Sequence, residues 1–475
     1  MSGIFPEGVV WTLFEKICSV PHPSGHERAL GDAIENWARK LDLETLRDSS
    51  GSLKITRRAA PGRESAPRVI LQGHLDMVPC SADGTRDFTS EPVAVVRTGD
   101  ILHTGGLSTL GADNGIGVAL ALAALTETAA AGELSVLLTV EEETGLSGAG
   151  GLDADMLDAD YLINLDSEKE SELVVGCAGG ARLAAEWPLE WSALPADSST
   201  AVLRVSGLPG GHSGSDIHEG RGNAIRILLE LLAEHPELRV ISLSGGVVSN
   251  VIPSSASAVV AADGFAVLEK SLAGLRERYA VELGVHGLRL KGELSAAPAA
   301  DMGWTAECAA NIISSLLAVP AGVVEFDRVW NVPAVSDNLA IVASDGEKCR
   351  VLLSQRAQDD AAREAITSDL CALFERRGAT AVVGECYPGW QPRSDSPLLL
   401  AALRVFEAMR GHAPQVKVIH AGLECGIFAK KNPRLQMISF GPDMDNVHSV
   451  NESLSIGSTE RTWEFLSALL AEIWR

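Results

Sequence analysis

Between residues 68 and 165 the chain reads strand, helix, strand, strand, and this alternation limits its folds more than any other feature. RVILQ (68–72) is a short apolar run, NGIGVALALAALTET (114–128) has helical length and content, ELSVLLTV (133–140) is a second strand and YLINL (161–165) a third. Strands with apolar residues at every position, not at alternate ones, are covered on both faces. The spacing therefore predicts an α/β fold with a mostly parallel central sheet. Ahead of it the first 40 residues read as helical, with Ser24 and Glu27 at capping-box spacing before ALGDAIENWARKL.

At 475 residues the chain exceeds one ordinary core, so two or three domains are expected. The texture changes near residue 188, where WPLEWSALPADSST reads as a loop or excursion, and again at YPGW (387–390), ahead of a helix over 397–409. We read 1–187 and 388–475 as one discontinuous domain and 188–387 as an inserted α+β domain.

Charge narrows the partners. With 63 acidic against 39 basic residues the formal charge is −24, a field that repels nucleic acid and anionic membrane, so neither is expected as a partner. The longest apolar run, 116–125, is about half of the ~20 residues that a membrane span needs. The start of the chain has no basic leader and carries Glu7 and Glu15, unlike a signal peptide. Eight cysteines without a CxxC pair read as reduced, mostly buried thiols, which implies a cytoplasmic protein.

Ligands of open α/β sheets gather beyond the carboxyl ends of the strands, and four polar clusters stand at such places. QGHLDMVP carries His74 and Asp76; two residues apart in extended chain, they point to one side. TLGADNGIGVAL places Asp113 between a glycine turn and a helix, LLTVEEETG places Glu141, Glu142 and Glu143 directly after a strand, and LINLDSE closes a strand with Asp166. GPDMDNVHSVNE adds His448. Taken singly these have plain readings: a surface pair, a helix N-cap, a solvated acidic loop. Together they form an N/O ligand set suited to zinc. Two metals about 3.5–4 Å apart need a bridging carboxylate, for which Asp113 is the candidate.

The order GHLDMVP, LGADNGIG, TVEEETG, NLDSE, GGHSG, HAGLECG and a late histidine resembles the di-zinc aminoacylase/carboxypeptidase-like metallopeptidases over nearly the whole chain. GCAGG, YPGW and HAGLECGIF make it most similar to the aminoacyl-histidine (Xaa-His) dipeptidase branch. The resemblance implies a di-zinc peptidase catalytic domain and an inserted lid and dimerisation domain. It implies that His74 and Asp166 bind one metal, Glu143 and His448 the other, and that Asp113 bridges them. Asp76 would orient His74, and Glu142 would be the general base. His212 of GGHSG would steady the tetrahedral oxyanion, from its own chain or a partner subunit. Asn250, His420 and Glu424 would contact substrate.

The expected activity is hydrolysis of unblocked dipeptides of Xaa-His type by a cytoplasmic homodimer holding two divalent ions, zinc first, with cobalt or manganese also suited to the site. An N-acyl-amino-acid amidohydrolase or carboxypeptidase could use the same centre. A non-catalytic peptide- or metal-binding protein is disfavoured because every ligand and the base are present. The extra acid at Glu141 leaves the register of the glutamate run open by one position.

Overall fold

The structure is a computed structural model that describes residues 3–129 and 131–475. It divides into two compact units. The first comprises Met1–Gly176, Gln391–Val418 and Leu423–Arg475; the second comprises Cys177–Trp390 and Ile419–Gly422.

In the first unit eight strands form one sheet, in the order Glu44–Arg47, Leu53–Arg57, Leu134–Thr139, Val69–His74, Tyr161–Asn164, Gln436–Ser439, Glu172–Cys177 and Gln415–Ile419. The third to sixth of these run parallel. The outer pairings, Leu53–Arg57 with its two neighbours and Gln436–Ser439 with Glu172–Cys177, are antiparallel. Val69–His74 and Leu134–Thr139 are buried at every position, as strands covered on both faces must be. The helix Ala112–Glu127 is almost wholly buried and has no polar face to show to water. Gly115 lets it close on the Val9–Cys18 helix, since a Cβ there would stand 3.3 Å from both Ile17 and Phe14.

The second unit is built on a nine-stranded sheet, with all of its pairings antiparallel. The helices Ala224–Glu234, Ala306–Leu317 and Asp360–Arg376 supply Leu228, Ile312 and Phe374 to a core shared with Leu203, Val205 and Trp187. Trp187 meets Phe374 edge-on at 5.1 Å.

The breaks expected at 187/188 and 387/388 move outward. Gly179–Pro188 pairs with Thr380–Tyr387 inside the second sheet, so both strands go with the second unit. The tryptophan–proline texture near 188 marks the end of a strand, not the end of a domain. Nor is WPLEWSALPADSST all loop, for Trp191–Ala193 pairs with Met302–Trp304. Among the described residues no helix is long and apolar enough to cross a membrane. No disulfide joins the cysteines there; Cys18, Cys177, Cys349 and Cys425 are buried and Cys386 is exposed.

Candidate metal centre

Three neighbouring parallel strands deliver polar groups to one edge of the first unit. His74 is the last residue of Val69–His74, Glu142 and Glu143 follow Leu134–Thr139, and Asp166 follows Tyr161–Asn164. Asp113 enters at the head of Ala112–Glu127, where Asp113 and Asn114 leave helical backbone geometry. Asn114 pins that turn: its Oδ1 accepts the His74 N–H at 3.3 Å and its Nδ2 donates to Leu165 O at 2.7 Å. A Cβ at Gly73 would stand 2.2 Å from the Asn114 Oδ1, which explains the glycine before His74. His448 stands in a loop beyond Gln436–Ser439 with a left-handed φ of 61°.

Asp113 is shared between two sets of groups. Its Oδ1 lies 3.1 Å from His74 Nε2, which is also 3.3 Å from Asp166 Oδ1. Its Oδ2 lies 3.0 Å from His448 Nε2, which is also 2.8 Å from Glu143 Oε1. His74, Asp113 and Asp166 thus form one three-residue group with ligand atoms within 4.8 Å of one another; Asp113, Glu143 and His448 form a second, and His74, Glu142 and Glu143 a third. Glu141 takes no part. Its backbone is left-handed at φ 52°, its N–H donates to Glu27 Oε1 at 3.2 Å, and its carboxylate accepts from Ser147 Oγ.

Asp76 lies against His74, and its carboxylate has further partners. The ring Nδ1 of His74 is nearer the Asp76 carbonyl oxygen, at 3.0 Å, than its carboxylate, at 3.4 Å. The carboxylate also accepts the backbone N–H of Glu142 at 3.0 Å and of Glu143 at 3.1 Å, and the hydroxyl of Ser24 at 2.8 Å. The Ser24–Glu27 pair does not act as a capping box: the helix Arg28–Lys40 has no side-chain cap. Ser24 supports Asp76, and Glu27 accepts from Gly25 N–H and Glu141 N–H. The spacing was real, but these groups bind the catalytic turns, not a helix end.

Crowded acids with little water shift their protonation. Burial pushes Glu142 well above the carboxylate range, and Asp166, Glu143 and Glu424 add to the rise. Burial likewise takes Asp166 up to about 7, with Asp113 and Glu143 contributing. Against burial, hydrogen bonds to Asp113 and Glu143 carry His448 up to about 11. Against burial, His448 and His74 hold Asp113 well below its usual range.

Deeper in the sheet runs a row of buried polar side chains. Gln72 Nε2 donates to Glu424 Oε2 at 2.6 Å and to Thr139 Oγ1 at 3.2 Å; Asn164 Nδ2 donates to Gln72 Oε1 at 2.6 Å. Glu424, expected at the substrate, is only 1% exposed and is engaged by Gln72 and Thr139. Burial lifts its carboxyl to about 8.

The second unit holds the other expected residues. His212 is part-buried in the GGHSG turn, and its Nδ1 accepts from the N–H groups of Gly214 and Ser215, both at 3.3 Å, which puts the ring proton on Nε2. Asn250 is exposed, with its carbonyl accepting from Ser213 N–H at 2.8 Å. His420 is buried with Nε2 2.7 Å from Ser336 Oγ, and burial, then the Arg356 charge, lowers it to about 3. Sequence reasoning passed over Arg356. It is 6% exposed, donates to Tyr387 Oη at 3.0 Å, and its Nε is buried without a hydrogen bond. An arginine in the wholly buried last half of the strand Lys348–Ala357, from Leu353 on, is what sets it apart.

Four carboxylates and two imidazoles therefore converge beyond the carboxyl ends of parallel strands. Glu143 Oε1 and Asp166 Oδ1 are buried there facing the ring nitrogens of His448 at 2.8 Å and His74 at 3.3 Å, and so many acids held out of water are an expensive state unless a cation meets them. The donors are hard oxygens and imidazole nitrogens, and one carboxylate faces two groups, so the residues fit a pair of divalent ions. This is the site of a metal-dependent hydrolase.

The chain belongs to peptidase family M20/M25/M40, whose profile matches residues 70–472. It is 39% identical over 481 aligned residues to the cytosol non-specific dipeptidase of Escherichia coli K12, covering 100% of this chain and 99% of that protein. Its structure is similar to the crystal structure of aminoacylhistidine dipeptidase from Vibrio alginolyticus, with a TM-score of 0.86, 37% identity and coverage of 98% and 97%. Human carnosine dipeptidase 1, at 14% identity and a TM-score of 0.53 over 98% and 96% of the chains, shares the fold.

Proposed function

We propose that this peptidase hydrolyses the peptide bond of unblocked dipeptides, those ending in histidine among its preferred substrates, and that it does so with two zinc ions. The observation that carries the reading is the sharing of Asp113 between the His74–Asp166 and Glu143–His448 groups. The names of the Escherichia coli and Vibrio relatives support the substrate class.

His74 and Asp166 would hold one ion, Glu143 and His448 the other, and Asp113 both. Bound divalent ions polarise the scissile carbonyl and make water more acidic. Glu142 then takes the proton from the attacking water. It returns that proton to the leaving amine; such a base contributes typically ~10²–10⁴-fold. Asp76 fixes the backbone of Glu142 and Glu143 so that one can ligate while the other stays basic. His212, with its proton on Nε2, is assigned to donate to the oxyanion. The buried guanidinium of Arg356, together with Asn250, is assigned to the substrate's carboxylate. His420 and Glu424 are assigned to shaping the substrate pocket.

We also infer a cytoplasmic homodimer with 177–390 as its lid. The relative named for the cytosol supports the location, and light scattering tests the dimer.

The deciding assay is hydrolysis of a panel of free dipeptides, β-alanyl-histidine included, with chelator and with zinc restored. Zinc-dependent cleavage, best with histidine second, is the expected result. If the zinc-loaded chain cut only N-acylated amino acids, an amidohydrolase reading would replace this one.

A further inference from the structure

Glu452 lies four residues beyond His448, on the same loop, and is 1% exposed. Its Oε2 accepts the N–H groups of Leu110 at 2.6 Å and Gly111 at 3.1 Å; its Oε1 accepts those of Ala112 at 2.8 Å and Asp113 at 3.2 Å. Four successive amides, all donors, converge on one carboxylate, an arrangement that only the ionised form satisfies in full. One side chain thus clasps the whole turn that delivers Asp113.

The same clasp bears on His448. That residue is exposed, with 48% of its side chain open to solvent, and both it and Asn446 have left-handed backbone. A half-exposed ligand on a strained loop needs a fixed base. Glu452 supplies it, joining the loop's far end to the backbone of Asp113, whose Oδ2 faces His448 Nε2 at 3.0 Å. His74 and Asp166 need no such help, because each is carried on or directly after a buried strand.

We propose that Glu452 is a positioning residue that acts chiefly on one metal: it sets His448 against Asp113 and so governs the affinity of the Asp113–Glu143–His448 subsite more strongly than that of the His74–Asp166 side, which shares only Asp113 with it. This rests on the two-ion reading above.

The test is metal binding, not turnover. Zinc is titrated into the stripped full chain against a chromophoric chelator. Wild type should take up two ions. In Glu452→Gln the carboxamide turns an NH2 group toward backbone donors. One ion should then lose little affinity and the other roughly 10–100-fold, the usual cost of disturbing a ligand's support. Glu452→Asp keeps the charge with a shorter reach and should weaken the same ion less; it also serves if the glutamine variant does not fold. His448→Ala should weaken that same ion, and adding Glu452→Gln to it should cost little more. Equal weakening of both ions, no weakening in either folded variant, or full additivity with His448→Ala would overturn the proposal. A wild-type chain binding fewer than two ions would instead bring down the two-ion reading, and this proposal with it.

Discussion

Asp76 Oδ1 accepts the backbone N–H of Glu142 at 3.0 Å, so the residue beside His74 also fixes the backbone of the glutamate proposed as general base. Its other oxygen does the same for Glu143. Asp76→Asn keeps the shape but can offer only one acceptor to two amides. Its kcat should fall together with metal affinity, the latter by roughly 10–100-fold. Unchanged zinc affinity in the folded variant would mean that the turn is held by something else.

Glu142→Gln removes the proton shuttle and no proposed ligand. Zinc uptake should stay near wild type while kcat drops by about 10²–10⁴-fold. Near-normal turnover would reassign the base.

Arg356→Ala should raise KM for dipeptides with a free carboxylate by a factor of 10 or more, the loss of one charged hydrogen bond of roughly 1.5–3 kcal/mol. The same dipeptides as C-terminal amides should show little change between wild type and variant. An equal effect on acid and amide would place the guanidinium in a structural role.

Gly73→Ala should destabilise the first unit by about 1–3 kcal/mol in urea unfolding. Its methyl would meet the Asn114 Oδ1, which is already committed to His74 N–H. A stability equal to wild type would show that Asn114 can turn away without cost.

Asp337 gives a pH dependence away from the metal centre. Burial lifts its carboxyl from 3.8 to about 7, partly opposed by the Gln355 amide at 2.6 Å. The folded chain therefore holds a proton there that the unfolded chain gives up. The resulting stability is complete below pH 3.8, declines as pH rises and is gone above about 7. The span is of the order of a few kcal/mol. Asp337→Asn keeps the acceptor for Gln355 and should flatten that part of the slope relative to wild type. Parallel slopes for the two proteins would show that Asp337 is ionised throughout.

Much of the centre could be read in the sequence because its parts are local. A buried strand ending in His74, another ending before Glu142 and a third before Asp166 are short patterns, and strand ends are where ligands gather in such sheets. What escaped depends on contacts between distant segments. Ser24 and Glu27 obey a helix-capping pattern, yet fold onto Asp76 and Glu141. Glu452 and Arg356 look like ordinary charges until burial and partners are known. The domain breaks shifted because Gly179–Pro188 joins its sheet through partners near 350 and 380.

The ligand set runs from His74 to His448, and the fourth parallel strand, Gln436–Ser439, also comes late in the chain. A ribosome-bound chain therefore carries His74, Asp113, Glu143 and Asp166 long before it carries their last neighbour. Strand Tyr161–Asn164 waits with an open edge until Gln436–Ser439 arrives. A fragment that ends before His448 would lack the group that faces both Asp113 and Glu143. In the order of synthesis, the cluster closes only when its last member, His448, has been made.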